Sequence, residues 1–147
     1  MFGSIKSTEY RSLAEYYSTL LTKKIPVSLR SLKECKTGSD NSKAETELRL
    51  LATAINDDTA HTVILDADGK NLSTEDFAVF MKQLIDNGRD VSFYIGNHYG
   101  LNDTVRKAAD TQLSLSRMTF THECAVMLLL EQLYRVQTII YGGKYHK

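Results

Sequence analysis

At 147 residues, with 42% hydrophobic and 24% charged residues, the chain has material for one hydrophobic core and not for two domains. Its 18 Lys and Arg balance 18 Asp and Glu, which excludes a general positive field that would hold arbitrary nucleic acid; any RNA contact has to be a local patch. The opening residues lack the apolar centre of a signal peptide and the longest apolar run, Ala125 to Leu130, is far short of a membrane span, so the expectation is a soluble cytoplasmic protein.

Ser7 is placed to cap a first helix whose apolar residues Leu13, Tyr16, Tyr17, Leu20 and Leu21 fall at helical spacing, ending near Lys23-Lys24 before Pro26. Val27-Ser28-Leu29-Arg30-Ser31-Leu32 alternates like a strand. Lys36 to Asn41 is loop-like, and Lys43 to Ile55 returns to helical period through Leu48, Leu51 and Ile55. Thr62 to Leu65 predicts a short buried strand. Ser73 with Asp76 three residues on predicts a helix start, and Phe77, Phe80, Met81 and Leu84 make a stripe that stops at Asn87-Gly88. Val91 to Ile95 predicts a strand and Asn102 caps a brief helix through Ala109. Leu113 to Met118 reads as a strand passing into a loop, and Thr121 to about Ile140 as the last helix. This alternation predicts one α/β domain, a mostly parallel sheet with helices on both faces and ligands beyond the carboxyl ends of its strands, where Leu65, Gly96 and Ser116 to Thr121 fall.

Few motifs carry chemistry by themselves. Asp66-Ala67-Asp68-Gly69-Lys70 has the spacing of a calcium loop at two positions, but Lys70, Asn71 and Phe77 stand where a ligand, a Gly and a bidentate Glu are needed, so it reads as a polar turn. Gly96-Asn97-His98-Tyr99-Gly100 lacks the Lys-Ser/Thr of a phosphate loop. Cys35, Cys124, His61 and His98 show no ligand spacing, so no metal is expected. Glu131 and Arg135 are spaced as a surface ion pair on a helix, and His122 suits either a helix terminus or an active site.

Together, five ordered blocks carry more. They are Leu65 to Lys70, Asn87 to Gly96, Gly100-Leu101, Ser114-Leu115-Ser116-Arg117-Met118-Thr119 with His122, and Leu128-Leu129-Leu130-Glu131-Gln132-Leu133-Tyr134-Arg135 with the terminal Tyr145-His146-Lys147. In that order they resemble the SPOUT-superfamily methyltransferases that act on N3 of a pseudouridine in large-subunit (23S) ribosomal RNA, densely from Thr62 to Lys147 and more thinly from Lys6 to Asp58. The resemblance implies an α/β knot, a trefoil formed by the C-terminal part of the chain, and S-adenosylmethionine as the cofactor. Leu65, Gly96, Asn97, Ser116, Arg117, Met118, Thr119, Phe120 and Thr121 would hold it. It also implies a homodimer acting on the ribosome, with Tyr145, His146 and Arg135 as catalytic residues. His146 would help remove the N3 proton, and Arg135 or Lys147 would hold phosphate. The apolar residues Leu128, Leu129, Leu130, Leu133, Val136, Ile139 and Ile140 exceed one buried stripe, which points independently to a dimer.

The chain departs from the family pattern at four places. Asn97 stands for the second Gly of a Gly-Gly pair, an exchange that a left-handed backbone tolerates in Asn. Thr121 replaces a Pro before His122, and Val126 replaces an Arg four residues after it. An opening strand ahead of the first helix is also missing. These departures leave open a homologue that docks on the ribosome or RNA without transferring methyl, and the alternation alone leaves open an unrelated doubly wound small-molecule enzyme.

Overall fold

The computed structural model describes residues 3–21, 24–97 and 99–145. In chain order the elements are α1 (Thr8–Leu21), α2 (Asp40–Asn56), β1 (His61–Asn71), α3 (Thr74–Asp86), β2 (Val91–Ile95), α4 (Asp103–Ala108), β3 (Thr111–Ser114) and α5 (His122–Tyr141). The three strands are parallel, in the order β2-β1-β3.

Period-two geometry explains why β1 is apolar on consecutive residues. Val63 enters the core shared with α1, α3 and α5, while Ile64 enters the core of α2 and α4, so helices cover both faces and neither can be polar. The helix starts follow local chemistry: Ser39, Ser73, Asn102 and Thr121 each accept a backbone N–H of the first turn. Ser7 does the same for α1 through the Tyr10 N–H at 3.2 Å. Glu123, in the first turn of α5, accepts the Lys6 N–H at 2.6 Å, fixing the start of α1 to the start of α5.

Several expectations are corrected. Leu13 and Tyr16 of the α1 stripe are about half exposed; Leu21 of that stripe is buried as expected, and Ala14, which the stripe did not include, is buried beside it. Residues 27–32 form no continuous strand: among the described residues no strand pairs with them along their length, and Leu32 alone stands in a single bridge, its carbonyl accepting the Gly3 N–H at 3.0 Å. β3 begins at Thr111, earlier than Leu113, and ends at Ser114, so Ser116 to Thr121 lie wholly in a loop.

β1 also runs past its expected end. Leu65 pairs with Leu113, and Lys70 pairs with the same Leu113, so Asp66 to Gly69 form a bulge within the strand, where a terminal turn was expected. The bulge is held by Asp66, whose carboxylate receives the Arg106 guanidinium at 2.6 Å from α4. At Gly69 the chain passes so close to β3 that a Cβ would lie 2.7 Å from the Leu113 carbonyl carbon.

Candidate active site

Leu65 lies between Ile95 of β2 and Leu113 of β3, so the three parallel strands end side by side and their following segments meet at one edge of the sheet. That edge gathers Gly96-Asn97 after β2, the bulge of β1 and the Ser116 to Thr121 loop after β3.

Gly96 is fixed by crowding: a Cβ there would stand 2.8 Å from a methyl of Leu101. Asn97 does not adopt the left-handed backbone expected of it; among the described residues only glycines have positive φ. Its side chain is used in bonding instead. The amide donates to Glu47, and its oxygen accepts the Tyr99 N–H at 3.0 Å, closing the loop that leads to Gly100.

In the last loop Ser116 is half-buried, with its hydroxyl accepting the Met118 N–H at 3.0 Å and its carbonyl accepting the Ser114 hydroxyl at 2.9 Å. These bonds curl the chain, leaving Arg117, Met118, Thr119 and Phe120 outward, with Met118 73% exposed. Thr121 caps α5 through the Cys124 N–H at 3.3 Å. The φ that Pro would supply is thus replaced by a hydrogen bond to the helix.

Between the β2 loop and the start of α5 lies a cavity of about 230 Å³ lined by Glu34, Cys35, Lys43, Glu47, Asn97 and His122, among others. Glu47 is 5% exposed and accepts the Cys35 N–H at 2.8 Å as well as the Asn97 amide. The His122 Nε2 is covered and has no hydrogen-bond partner; its nearest carboxylate oxygen, on Glu123, is 4.0 Å away. His122 thus lines a polar cavity while one of its ring nitrogens is left unsatisfied.

Arg135 lies on α5, bonded through Nε to Glu131 at 2.5 Å, in the ion pair its spacing implied. Tyr145 folds back onto this pair. Its ring lies 4.7 Å from that of Tyr134 and under the Arg135 guanidinium at 4.9 Å, and its hydroxyl donates to Glu131 at 3.2 Å. The hydrogen bond with the Tyr17 hydroxyl, with Glu131 beside it, raises the Tyr145 phenol above its ordinary range. It therefore stays protonated at neutral pH and serves as a hydrogen-bond donor, not a base. His146 and Lys147 lie outside the described residues. Val126, where a cation was expected, is a core residue.

Two contributors escaped the sequence reading. Gly69 was read as part of a turn although its need is close approach to β3. Glu47 stands four residues before Leu51 and eight before Ile55, which puts a carboxylate on the buried stripe of α2; that misfit in helical period was the available signal. Among the described residues no group of three or more His, Cys, Asp or Glu is arranged to hold a metal, and no helix is long and apolar enough to cross a membrane.

Parallel strands that end together beneath three loops, with helices on both faces, define an α/β protein that receives its ligand at the carboxyl edge of its sheet. The family model described as predicted SPOUT methyltransferase matches residues 1–146, and the chain belongs to that family of methyltransferases. It is 40% identical over 144 residues to a protein of Thermodesulfovibrio yellowstonii, covering 98% of this chain and 93% of the relative. With a protein of Francisella philomiragia it shares 37% identity over 134 residues, 89% and 86% of the two chains. A third relative, from Caldicellulosiruptor bescii, is 32% identical over 151 residues, 99% and 96%. All three relatives bear the name ribosomal RNA large subunit methyltransferase H.

Proposed function

We propose that the protein is a cytoplasmic, homodimeric enzyme that methylates N3 of a pseudouridine in large-subunit ribosomal RNA, using S-adenosylmethionine. Membership of the methyltransferase family supports the reaction class, and the names of the relatives support the substrate class. The single observation that carries the site is the register placing Leu65 between Ile95 and Leu113, which brings three loops to one edge.

The residues present fit such a cofactor. Leu65 and the exposed Met118 and Phe120 supply apolar contact for a base and ribose, and Gly96 lets backbone approach closely. The neighbouring cavity carries both signs of charge, in Glu34, Glu47 and Lys43, as an amino-acid group needs. S-adenosylmethionine brings the methyl group on a positively charged sulfur, already electrophilic. The work left to the protein is to orient a ring nitrogen and exclude water, so catalysis rests mainly on positioning. Arg135 would hold phosphate once its bond to Glu131 is shared with RNA, Tyr145 would donate a hydrogen bond, and His146 would accept the N3 proton. A chain with no net charge fits a structured ribosome read by shape better than free RNA held by charge.

One observation favours a second reading, a homologue that docks on the ribosome without methyl transfer: the Asn97 side chain and Glu47 are committed to each other in the cavity wall. Calorimetric titration with S-adenosylmethionine, together with radiolabelled methyl incorporation into ribosomes lacking the modification, separates the two. Binding with incorporation supports the enzyme. Absence of heat at millimolar cofactor removes it.

A further inference from the structure

One carboxylate on α5 collects three side chains. Oε1 of Glu131 accepts the Arg135 Nε–H at 2.5 Å and the Tyr145 hydroxyl at 3.2 Å, and its Oε2 accepts the Gln132 amide at 2.7 Å. The last of these bonds is unexpected on a helix. Gln132 directly follows Glu131, and side chains of successive helical residues point about 100° apart, so they do not face each other unaided. Gln132 is turned by Thr74, the first residue of α3, whose hydroxyl donates to the Gln132 Oε1 at 2.9 Å.

Chemistry fixes the direction of these bonds. An ionised carboxylate only accepts, so Gln132 must offer Nε2 to Glu131; its Oε1 is then left for Thr74, whose hydroxyl must donate. The place of Thr74 in the chain frees that hydroxyl. Inside a helix such a group returns to the carbonyl four residues back, as Ser12 does to Thr8 and Thr19 to Glu15, both at 2.9 Å. Four residues before Thr74 stands Lys70, which belongs to β1 and not to the helix, and the hydroxyl reaches across to α5 instead.

The consequence falls on Arg135. A carboxylate beside a guanidinium commonly takes two of its N–H groups in a fork, one on each oxygen. Here Oε2 is taken by Gln132, so the pair is joined through Nε alone. Among the described residues the two terminal nitrogens of Arg135 make no hydrogen bond, and its side chain is a third exposed. The Tyr145 ring, 4.9 Å away, covers the flat face of the guanidinium and not its donor edge. We infer that Thr74, acting through Gln132, is a positioning residue: it keeps Glu131 from forking onto Arg135 and so reserves the terminal nitrogens for a backbone phosphate of the RNA substrate. Two parallel N–H groups match two phosphate oxygens, which a single ammonium does not. This role rests on the reading of Arg135 as the holder of phosphate.

The test compares the full chain with Thr74→Val, which keeps the shape and loses the donor, Thr74→Ser, which keeps the donor, and Gln132→Leu. Each is titrated against ribosomes lacking the modification over a range of salt, and against S-adenosylmethionine by calorimetry. The side-chain nitrogen NMR signals of Arg135 are followed in the protein alone. Thr74→Val and Gln132→Leu should bind ribosomes about 10-fold more weakly, with a salt dependence reduced by about one phosphate contact. Their Arg135 terminal-nitrogen signals should shift as the fork forms, Thr74→Ser should follow the parent, and cofactor affinity should be the same in all four proteins. Parental salt dependence and Arg135 signals in Thr74→Val overturn the role. So does a Thr74→Ser variant as weak as Thr74→Val, or a matching loss of cofactor affinity, since either makes the effect one of packing. A parent that binds ribosomes and shows this pattern yet incorporates no methyl strikes the transfer reading alone and upholds the positioning role; a parent without affinity for ribosomes overturns both.

Discussion

The carboxylate of Glu47 on α2 and the side-chain amide of Asn97 after β2, fifty residues apart in the chain, are hydrogen-bonded to each other in the wall of the candidate cavity. The bond ties a buried acid to the loop that follows the middle of the three strand ends in chain order. It satisfies one oxygen of Glu47, the other being satisfied by the Cys35 N–H.

Asn97→Gly removes the amide and leaves one oxygen of a buried carboxylate facing the cavity. Stability should fall by about 1–2 kcal/mol, the cost of a lost hydrogen bond to a buried charged group. Affinity for S-adenosylmethionine should rise several-fold, because side-chain volume leaves the cavity and a free carboxylate attracts a cationic ligand. Thermal melts and calorimetry on the same preparation read both effects. Weaker cofactor binding would mean that Asn97 supports the site and does not obstruct it.

Gly69→Ala places a methyl group 2.7 Å from the backbone of Leu113, where no flexible side chain can yield. The pairing of Lys70 and Asn71 with β3 should be disturbed, at a cost of about 2–3 kcal/mol. Amide exchange at Leu113 and Ser114 should quicken, and cofactor binding should drop because the loop after β3 starts there. A melting temperature equal to that of the parent chain would show that the bulge shifts freely.

The legible parts of this fold are those governed by local chemistry. Ser73, Asn102 and Thr121 announce their helices because a capping oxygen serves donors three residues away. Val91 to Ile95 was read with its full extent. Residues 27–32 were misread for a non-local reason: alternation reports what a segment can pair with, and whether a partner exists depends on the rest of the sheet. Gly69 and Glu47 escaped for the same reason, since a close approach to Leu113 and a bond to Asn97 join residues 44 and 50 positions apart. The strand-end loops were legible as a set because parallel topology dictates where they gather.

The helix α5 has less spare apolar surface than its sequence implies. Leu129, Leu130, Leu133 and Val136 are consumed by the chain's own core, Ile140 is half-buried, and Leu128 and Ile139 stay partly exposed. Those two lie on one helical face, 11 residues apart, with Arg135 between them. If this face is the dimer contact, Leu128→Glu or Ile139→Arg should yield folded monomers, while Leu130→Glu should unfold the chain. Light scattering at tens of micromolar and circular dichroism distinguish the cases. A parent chain that is monomeric at that concentration ends the idea of a site shared between subunits.

Asp110 gives the fold an acid-sensitive joint. It accepts the Thr62 N–H at 2.8 Å and the Thr62 hydroxyl at 2.9 Å, and the backbone bond above all holds its carboxyl below the usual carboxylate range. A depressed folded-state pKa stabilises the protein above the unfolded value, about 3.9, and that contribution disappears as pH falls through the folded value. Asp110→Asn should therefore melt lower than the parent at pH 7, with the gap closing below about pH 4. Melting curves from pH 2 to 7 measure it; a gap independent of pH would assign the effect to packing.

The C-terminal residues test whether the end of the chain does chemistry or only packs. Tyr145 rests on Tyr134 and Arg135 and bonds to Glu131, so its removal costs some stability; deleting residues 145–147 should lower the melting temperature by about 2–4 °C, the equivalent of roughly 1 kcal/mol in a domain of this size. Methyl transfer should fall far more, by about 100-fold, if these residues position RNA against the cofactor. Tyr145→Phe keeps the ring and loses only the hydroxyl, so it should melt close to the parent and isolate the hydrogen bond's part in turnover. His146→Ala should change the pH dependence of methyl incorporation if the imidazole accepts the N3 proton, and leave its shape unchanged if it only holds the base. Full turnover in the deletion would make Tyr145 a packing residue and send the search for the proton acceptor to the covered Nε2 of His122.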